Sequence, residues 1–155
     1  LLCVKTRKAG VISLIALLFG FLLTNLLLKN VIARLRPYTD TNSDFYLWWK
    51  SAGSLLESGF SFPSGHTTAA TGFGFSLFIC FKKRISWLYL LIPIFMGFTR
   101  IYFMVHYASD VVGALFVGIV CSTCSYFTFK GISKFKFIDK AYNLPSIVSL
   151  FKREA

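Results

Sequence analysis

Acidic residues are the scarcest feature of this sequence. Six Asp and Glu stand against 17 Lys and Arg among 155 residues, and only 15% of the chain is charged while 55% is hydrophobic. So little polar surface cannot cover the long apolar segments of the chain, which argues against a buried core in a soluble protein and favours the bilayer as solvent. The few acids are also scattered along the chain, so no carboxylate cluster is predicted to hold magnesium.

Paired cysteines and a continuous basic face are lacking as well. Cys121 and Cys124 form a C-x-x-C pair without a second pair or a nearby histidine, so we interpret them as small fillers of an apolar span. The net charge of +11 comes from short basic clusters between apolar stretches. This pattern favours membrane-flanking charge over nucleic-acid binding, and no nucleic-acid partner is expected.

Four apolar stretches have about the length that crosses a bilayer, roughly 20 residues. They cover residues 9–28, 62–81, 86–105 and 108–129. We therefore predict an all-α integral membrane helical bundle, with residues 1–129 as one helical domain and the long polar loop 30–61 as its catalytic loop. Pro93 is expected to kink the third span. The remaining residues, 130–155, are predicted to form a basic tail at the membrane surface.

Charge distribution predicts the orientation of the four spans. With four crossings, both termini and the turn at residues 82–84 share one side, which carries ten basic residues: Lys5, Arg7, Lys8, Lys82, Lys83, Arg84, Lys130, Lys134, Lys136 and Lys140. The positive-inside rule makes that side cytoplasmic. All candidate catalytic groups then lie together on the opposite face.

Both histidines of the protein belong to that opposite face. If the segment is helical, His106 and Asp110 stand four residues apart on one helix face, where the carboxylate can hold one ring nitrogen and leave the other free. A single buried histidine is more often structural than catalytic. His66 at the same depth, beside basic side chains, favours chemistry for the pair.

Three basic residues on this face predict an anion site. Arg36 and Arg100 have planar guanidinium groups that suit a tetrahedral oxyanion such as phosphate, and Lys29 adds a third charge, although snorkelling to the interface also explains a lysine there. Ser64 and Gly65 would add a hydroxyl and an open backbone amide at the start of the second span. Fixed cations would stabilise the developing charge, so no metal and no cofactor are expected.

Three short motifs occur in order along this region. They are Lys29, six residues, Arg36-Pro37; then Pro63-Ser64-Gly65-His66; then Thr99-Arg100, five residues, His106, three residues, Asp110. Together they resemble the three-part signature of the type 2 phosphatidic acid phosphatase family, with Thr99 where the family usually has serine. Membrane members of that family have six spans, so the resemblance implies that the four visible helices are the C-terminal part of a six-helix core.

The resemblance also implies the role of each site residue. His106 is expected to attack phosphorus and form a phosphohistidine, Asp110 to orient it, and His66 to protonate the leaving oxygen. The phosphoryl oxygens would be held by Lys29, Arg36, Ser64, Gly65 and Arg100. The residues alone leave open which histidine attacks, and only the spacing to Asp110 favours His106.

The implied reaction is hydrolysis of a lipid phosphate or pyrophosphate at the outer membrane face. Substrates of similar proteins are phosphatidate, phosphatidylglycerophosphate, undecaprenyl pyrophosphate and the phosphates of lipid A, and the composition suggests a bacterial inner membrane with a site facing the periplasm. Vanadium haloperoxidases share the signature but are soluble, which four bilayer-length stretches argue against. A membrane protein that binds or moves phospholipid without hydrolysis is the other alternative; loss of a motif residue would mark it, and none is lost.

Overall fold

The computed structural model describes residues 4–134, and all regular secondary structure in this part of the chain is helical, in agreement with the predicted all-α class. Its α-helices are α1 (Val4–Phe21), α2 (Lys29–Ile32), α3 (Asp44–Ser51), α4 (Gly65–Phe81), α5 (Leu91–Tyr102) and α6 (Ala108–Ile132). A π-helical stretch, Leu22–Leu28, joins α1 to α2, and short 3-10 helices occupy Pro37–Thr39 and Ser86–Leu90. Most of the predicted basic tail, from residue 135 onward, lies outside the described residues.

Two helical stretches are long and apolar enough to cross a membrane, judged by length and composition. They are Thr6–Ile32 and Ala108–Ile132, which contain the first and fourth predicted spans. The second and third apolar stretches form shorter helices, Gly65–Phe81 and Ser86–Tyr102. Four crossings therefore stay a prediction for this chain.

Helix α4 lies at the centre of the bundle, in contact with α1, α5 and α6. Small residues make these contacts close: a Cβ added at Gly118 would lie 2.4 Å from Cβ of Thr71, so α6 can approach α4 only without a side chain there. The hydroxyl of Ser122 donates to the carbonyl oxygen of Gly72 at 3.0 Å and links the same two helices. Small residues and interhelical hydroxyl bonds are typical of helices packed in membranes.

Small polar side chains are buried inside the bundle, and large apolar side chains are exposed on its outside. Hydroxyl side chains are buried between the helices, among them Ser13, Thr24, Thr67, Thr68, Thr71, Ser76, Ser122 and Ser125. Large apolar side chains are exposed on all four long helices, among them Leu14, Leu18, Phe73, Ile94, Phe95, Phe98, Phe116 and Phe127. An apolar exterior of this extent is suited to lipid contact and unsuited to water.

The connection between α5 and α6 corrects one prediction from the sequence. Helix α5 ends at Tyr102 and α6 begins at Ala108, so His106 lies in a non-helical connection while Asp110 lies in the first turn of α6. The expectation that the two residues share one helix face is therefore wrong. Pro93, where a kink is expected, lies in the first turn of α5, directly after the 3-10 helix Ser86–Leu90, so the kink stays a prediction.

Candidate active site

Backbone hydrogen bonds join three chain segments at one end of the bundle. The N–H of Ser64, before α4, donates to the carbonyl oxygen of Asp110 at 3.2 Å, and the N–H of Ser61 donates to that of Arg34 at 2.8 Å. The start of α4, the start of α6 and the segment after α2 therefore meet. These segments contain the Pro63–His66 motif, the end of the third motif at Asp110, and part of the first motif, between Lys29 and Pro37.

His106 is buried among the residues of this junction, with 1% of its surface exposed. Its Nδ1 lies 3.6 Å from Oδ2 of Asp110, so the two expected partners are brought together although they share no helix face. The hydroxyl of Ser61 lies beside both: it donates to Oδ2 of Asp110 at 2.5 Å, and its oxygen is 3.3 Å from Nδ1 of His106. The other ring nitrogen, Nε2, faces Arg36 and Glu57.

The carboxylate of Asp110 is fully buried and held on both oxygens. The backbone N–H of Tyr107 donates to Oδ2 at 2.9 Å and caps α6, while Arg34 donates to Oδ1 at 2.9 Å. The guanidinium of Arg34 also stacks over the Tyr107 ring, 4.1 Å from its centroid. Sequence reasoning assigned Ser61 and Arg34 no role. The only available signal was their place in the chain, Arg34 among the variable positions of the first motif and Ser61 two residues before the second.

Arg36 is buried and almost all of its donors are engaged. It donates to the carbonyl oxygens of Ser58, Gly59 and Val105 at 2.9–3.0 Å and to Oε2 of Glu57 at 3.1 Å. Its NH1 atom is also 3.4 Å from Nε2 of His106. This arginine therefore holds the loop before α4 beside the imidazole of His106. The NH1 edge of its guanidinium can also bind an anion next to that ring.

Glu57 is the residue at the centre of the cluster, and sequence reasoning missed it. Its carboxylate accepts from Arg100 at 2.8 Å and from Arg36 at 3.1 Å, and it lies 3.5 Å from both Nδ1 of His66 and Nε2 of His106. The hydrogen bond with His106, helped by the charge of Arg36, lowers the pKa of Glu57 to about 2. No spacing rule predicts that an acid nine positions before His66 folds back onto it.

A cavity of about 500 Å³ opens beside this cluster. Its polar end is lined by Lys29, Arg36, Glu57, Gly65 and His66, and its apolar part by Leu17, Gly20, Phe21, Leu56 and Ala69. Gly65 lies next to Lys29, since a Cβ added at Gly65 would be 3.6 Å from Oδ1 of Asn25 and 3.9 Å from Nζ of Lys29. The side chain of His66 is 56% exposed, so it can exchange protons with water or with a bound group.

Ser64 lies at the same junction but in a different position from the one expected. It is fully buried, and its hydroxyl caps α4 by accepting from the N–H of Thr67 at 3.4 Å and from the Thr67 hydroxyl at 3.0 Å. Gly65 lines the cavity, whereas Ser64 does not. Across residues 4–134, no three His, Cys, Asp or Glu side chains are placed to hold a metal ion.

Comparison with known proteins supports the three motifs. A family model described as the PAP2 superfamily matches residues 9–133. Phosphatidylglycerophosphatase B of Bacillus subtilis is 32% identical over 83% of this chain and 61% of its own length. A lipid A 1-phosphatase of Rhizobium johnstonii is 34% identical over 70% of this chain and 43% of its own.

The bacitracin transport permease protein BcrC of Bacillus licheniformis is 34% identical over 54% of this chain and 39% of its own length. This chain therefore spans less than two thirds of each of these relatives. No solved structure matches it significantly. The family match covers most of the chain and all three motifs, and the chain belongs to the PAP2 superfamily.

Proposed function

We propose that this chain carries the catalytic centre of an integral membrane phosphatase that hydrolyses a lipid phosphate or diphosphate. One observation carries the proposal: two imidazoles and two guanidinium groups surround one position, each within 3.5 Å of the same carboxylate. A position of this kind suits a phosphoryl group, whose oxygens the guanidinium groups can hold while a ring nitrogen attacks.

His106 is proposed to act as the nucleophile through Nε2. The ring faces Ser61 and Asp110 with Nδ1, and a proton held on that nitrogen leaves a lone pair on Nε2 for attack once Nε2 no longer donates to the Glu57 carboxylate. Nε2 forms a bond to phosphorus as the bond between phosphorus and the leaving oxygen breaks. His66 donates its proton to that oxygen, and a phosphohistidine results.

Hydrolysis of the phosphohistidine completes the cycle. His66, now neutral and partly exposed, takes a proton from a water molecule that attacks phosphorus, and the bond between phosphorus and Nε2 breaks. Inorganic phosphate leaves, with His106 free and His66 protonated again. Arg36, Arg100 and Lys29 are proposed to stabilise the charge on the phosphoryl oxygens in both steps, and the amide of Gly65 to assist them. Ser64 is proposed to contribute by capping the helix that carries Gly65.

A lipid substrate is supported by the shape and the setting of the cavity. Leu17 and Phe21 of α1 line its apolar part together with Leu56 from the connection before α4, so an acyl or prenyl chain has an apolar path beside the phosphate position. Two of the relatives are named as phosphatases of phosphatidylglycerophosphate and of lipid A. The substrate class we propose is therefore a lipid phosphate monoester or diphosphate.

The apolar exterior supports a bilayer location for all four long helices. The six spans of membrane members of the family support a larger core, of which these helices would be the C-terminal part. In this arrangement residues 1–129 form the membrane domain, the basic turn at residues 82–84 and the tail 130–155 face the cytoplasm, and the catalytic cluster faces the periplasm of an inner membrane. Labelling of single cysteines introduced at Asp44 and at Lys83 with a membrane-impermeant reagent tests this orientation. Only the first should react in intact cells.

Phosphate release in detergent micelles tests the reaction itself. Phosphatidate, phosphatidylglycerophosphate, undecaprenyl diphosphate and lipid A form the substrate panel. We expect release from at least one of them, and its abolition in His106→Ala with an unchanged elution profile of the purified protein. Substantial turnover by His106→Ala would remove this residue from the nucleophile's role. Binding of the same lipids without release by the parent protein would favour a transport or binding protein.

A further inference from the structure

The position proposed for the substrate phosphate holds a group of the chain itself. The two oxygens of Glu57 make the ionic contacts that phosphoryl oxygens would make: Oε1 meets Arg100 and His66, while Oε2 meets Arg36 and His106. For attack, phosphorus must come to about 3–3.5 Å from Nε2 of His106. An oxygen of Glu57 already lies 3.5 Å from that atom, so the carboxylate and a phosphoryl group cannot both be there.

Exchange of the two groups requires movement of one side chain rather than of the loop. The carbonyl oxygen of Glu57 accepts from the Tyr38 hydroxyl at 3.0 Å, and the next carbonyl, of Ser58, accepts from Arg36 at 2.9 Å. The N–H of Glu57 also donates to the Tyr38 hydroxyl at 3.3 Å, so the backbone is held on both sides of the Glu57 side chain. The adjoining cavity, which Glu57 itself lines, gives the side chain room to rotate away from the arginines.

Charge then decides which ligands can displace the carboxylate. Glu57 brings one negative charge to the arginine pair. A phosphate monoester or terminal diphosphate carries about −1.5 to −2 charges near pH 7, whereas a phosphodiester carries one. Ordinary membrane phospholipids are phosphodiesters and greatly outnumber monoesters, so an uncovered cationic pocket at a membrane surface would fill with them.

We propose that Glu57 is a specificity-determining residue, an internal competitor that a dianionic terminal phosphate displaces and a monoanionic phosphodiester does not. This inference rests on the proposed phosphate site. The carboxylate occupies the phosphate position in advance and repels anions that enter it. Ligands of the wrong class are therefore excluded by an unfavourable charge. Displacing the carboxylate from the arginines costs free energy for the true substrate as well. The substrate must therefore interact more strongly with the arginines than the carboxylate does.

The test compares Glu57→Gln with Asp44→Asn, a matched control that removes one acid from an exposed position on α3 in the same loop region. Phosphate release from short-chain phosphatidate is measured in mixed micelles with rising fractions of phosphatidylglycerol, a phosphodiester. We expect the inhibition constant for phosphatidylglycerol to fall about tenfold or more in Glu57→Gln, since one charge is removed beside two arginines, and to stay at the parent value in Asp44→Asn.

A second measurement does not depend on turnover. The thermal midpoint of each purified protein is followed against inorganic phosphate, and the half-saturating concentration should be about tenfold lower in Glu57→Gln than in the parent or Asp44→Asn. Equal phosphate affinity and equal diester inhibition in all three proteins would overturn the inference. A loss of kcat in Glu57→Gln with no change in either constant would also overturn it, because it would mark a residue that only positions the histidines. If the parent released no phosphate, the proposed function would fail, while the thermal comparison would still decide the role of Glu57.

Discussion

The hydroxyl of Ser61 donates to Oδ2 of Asp110 at 2.5 Å while its oxygen lies 3.3 Å from Nδ1 of His106. The direct separation between Nδ1 and Oδ2 is longer, 3.6 Å. The serine therefore mediates much of the contact between the imidazole and its carboxylate. Nδ1–H can donate to the serine oxygen while the serine hydroxyl donates to the carboxylate, a chain that fixes both the tautomer and the tilt of the ring.

Ser61→Ala should lower kcat by about 10- to 100-fold and leave KM within a small factor, because it removes a hydrogen bond to a charged group that does not touch the substrate. Steady-state kinetics with a lipid phosphate measure both constants. Ser51→Ala, at an exposed position on α3, is the control and should match the parent. A change confined to KM would contradict the positioning role of Ser61.

Asp110→Asn should lower kcat by about 10²–10⁴-fold, since the neutral amide neither orients the imidazole nor stabilises its positive charge. The variant also leaves Arg34 without its buried partner, so its thermal midpoint is measured alongside. A folded variant with low kcat and near-normal KM agrees with the prediction. A folded variant with unchanged kcat would show that His106 needs no carboxylate.

Activity should persist in EDTA, with a rate that stays within about twofold of the untreated value, because we assign charge stabilisation to Arg36, Arg100 and Lys29 rather than to a metal. The measurement is phosphate release after dialysis against the chelator. Its control is the same protein dialysed without chelator. Abolition by EDTA and recovery with magnesium would contradict the assignment.

The Glu57 carboxylate should make stability depend on pH in the acid range. Its pKa is about 2 in the folded protein against an ordinary 4.5. The ionised group therefore stabilises the fold above pH 4.5 and loses that contribution as the pH falls toward 2, by an amount on the order of 1 kcal/mol after screening by solvent.

Thermal unfolding of the parent and of Glu57→Gln at about pH 6 and about pH 3 measures the difference. The thermal midpoint of the parent should fall further than that of the variant between the higher and the lower pH. Equal losses in both proteins would mean that the arginines and histidines do not hold this carboxylate in its charged form.

The sequence predicted the helical class and the convergence of the motif residues, because apolar length and motif spacing are local signals. It placed His106 and Asp110 together for the wrong reason: a four-residue spacing suggested one helix, whereas Asp110 is reached from a connection that ends where α6 begins. Glu57 could not be found in this way. Its position depends on hydrogen bonds from Arg36 to carbonyl oxygens of a loop more than 20 residues away, and no periodicity in the sequence predicts such a contact.

The bond from the Ser64 amide to the Asp110 carbonyl joins two main-chain groups, and the guanidinium of Arg36 donates to two main-chain carbonyl oxygens of its loop. The spacing between the reacting rings is therefore largely independent of which apolar residues cover the outside of the helices. Mutations can therefore change the lipid-facing surface, and with it the preference for a particular lipid tail, without changing the arrangement of the groups that react with the headgroup.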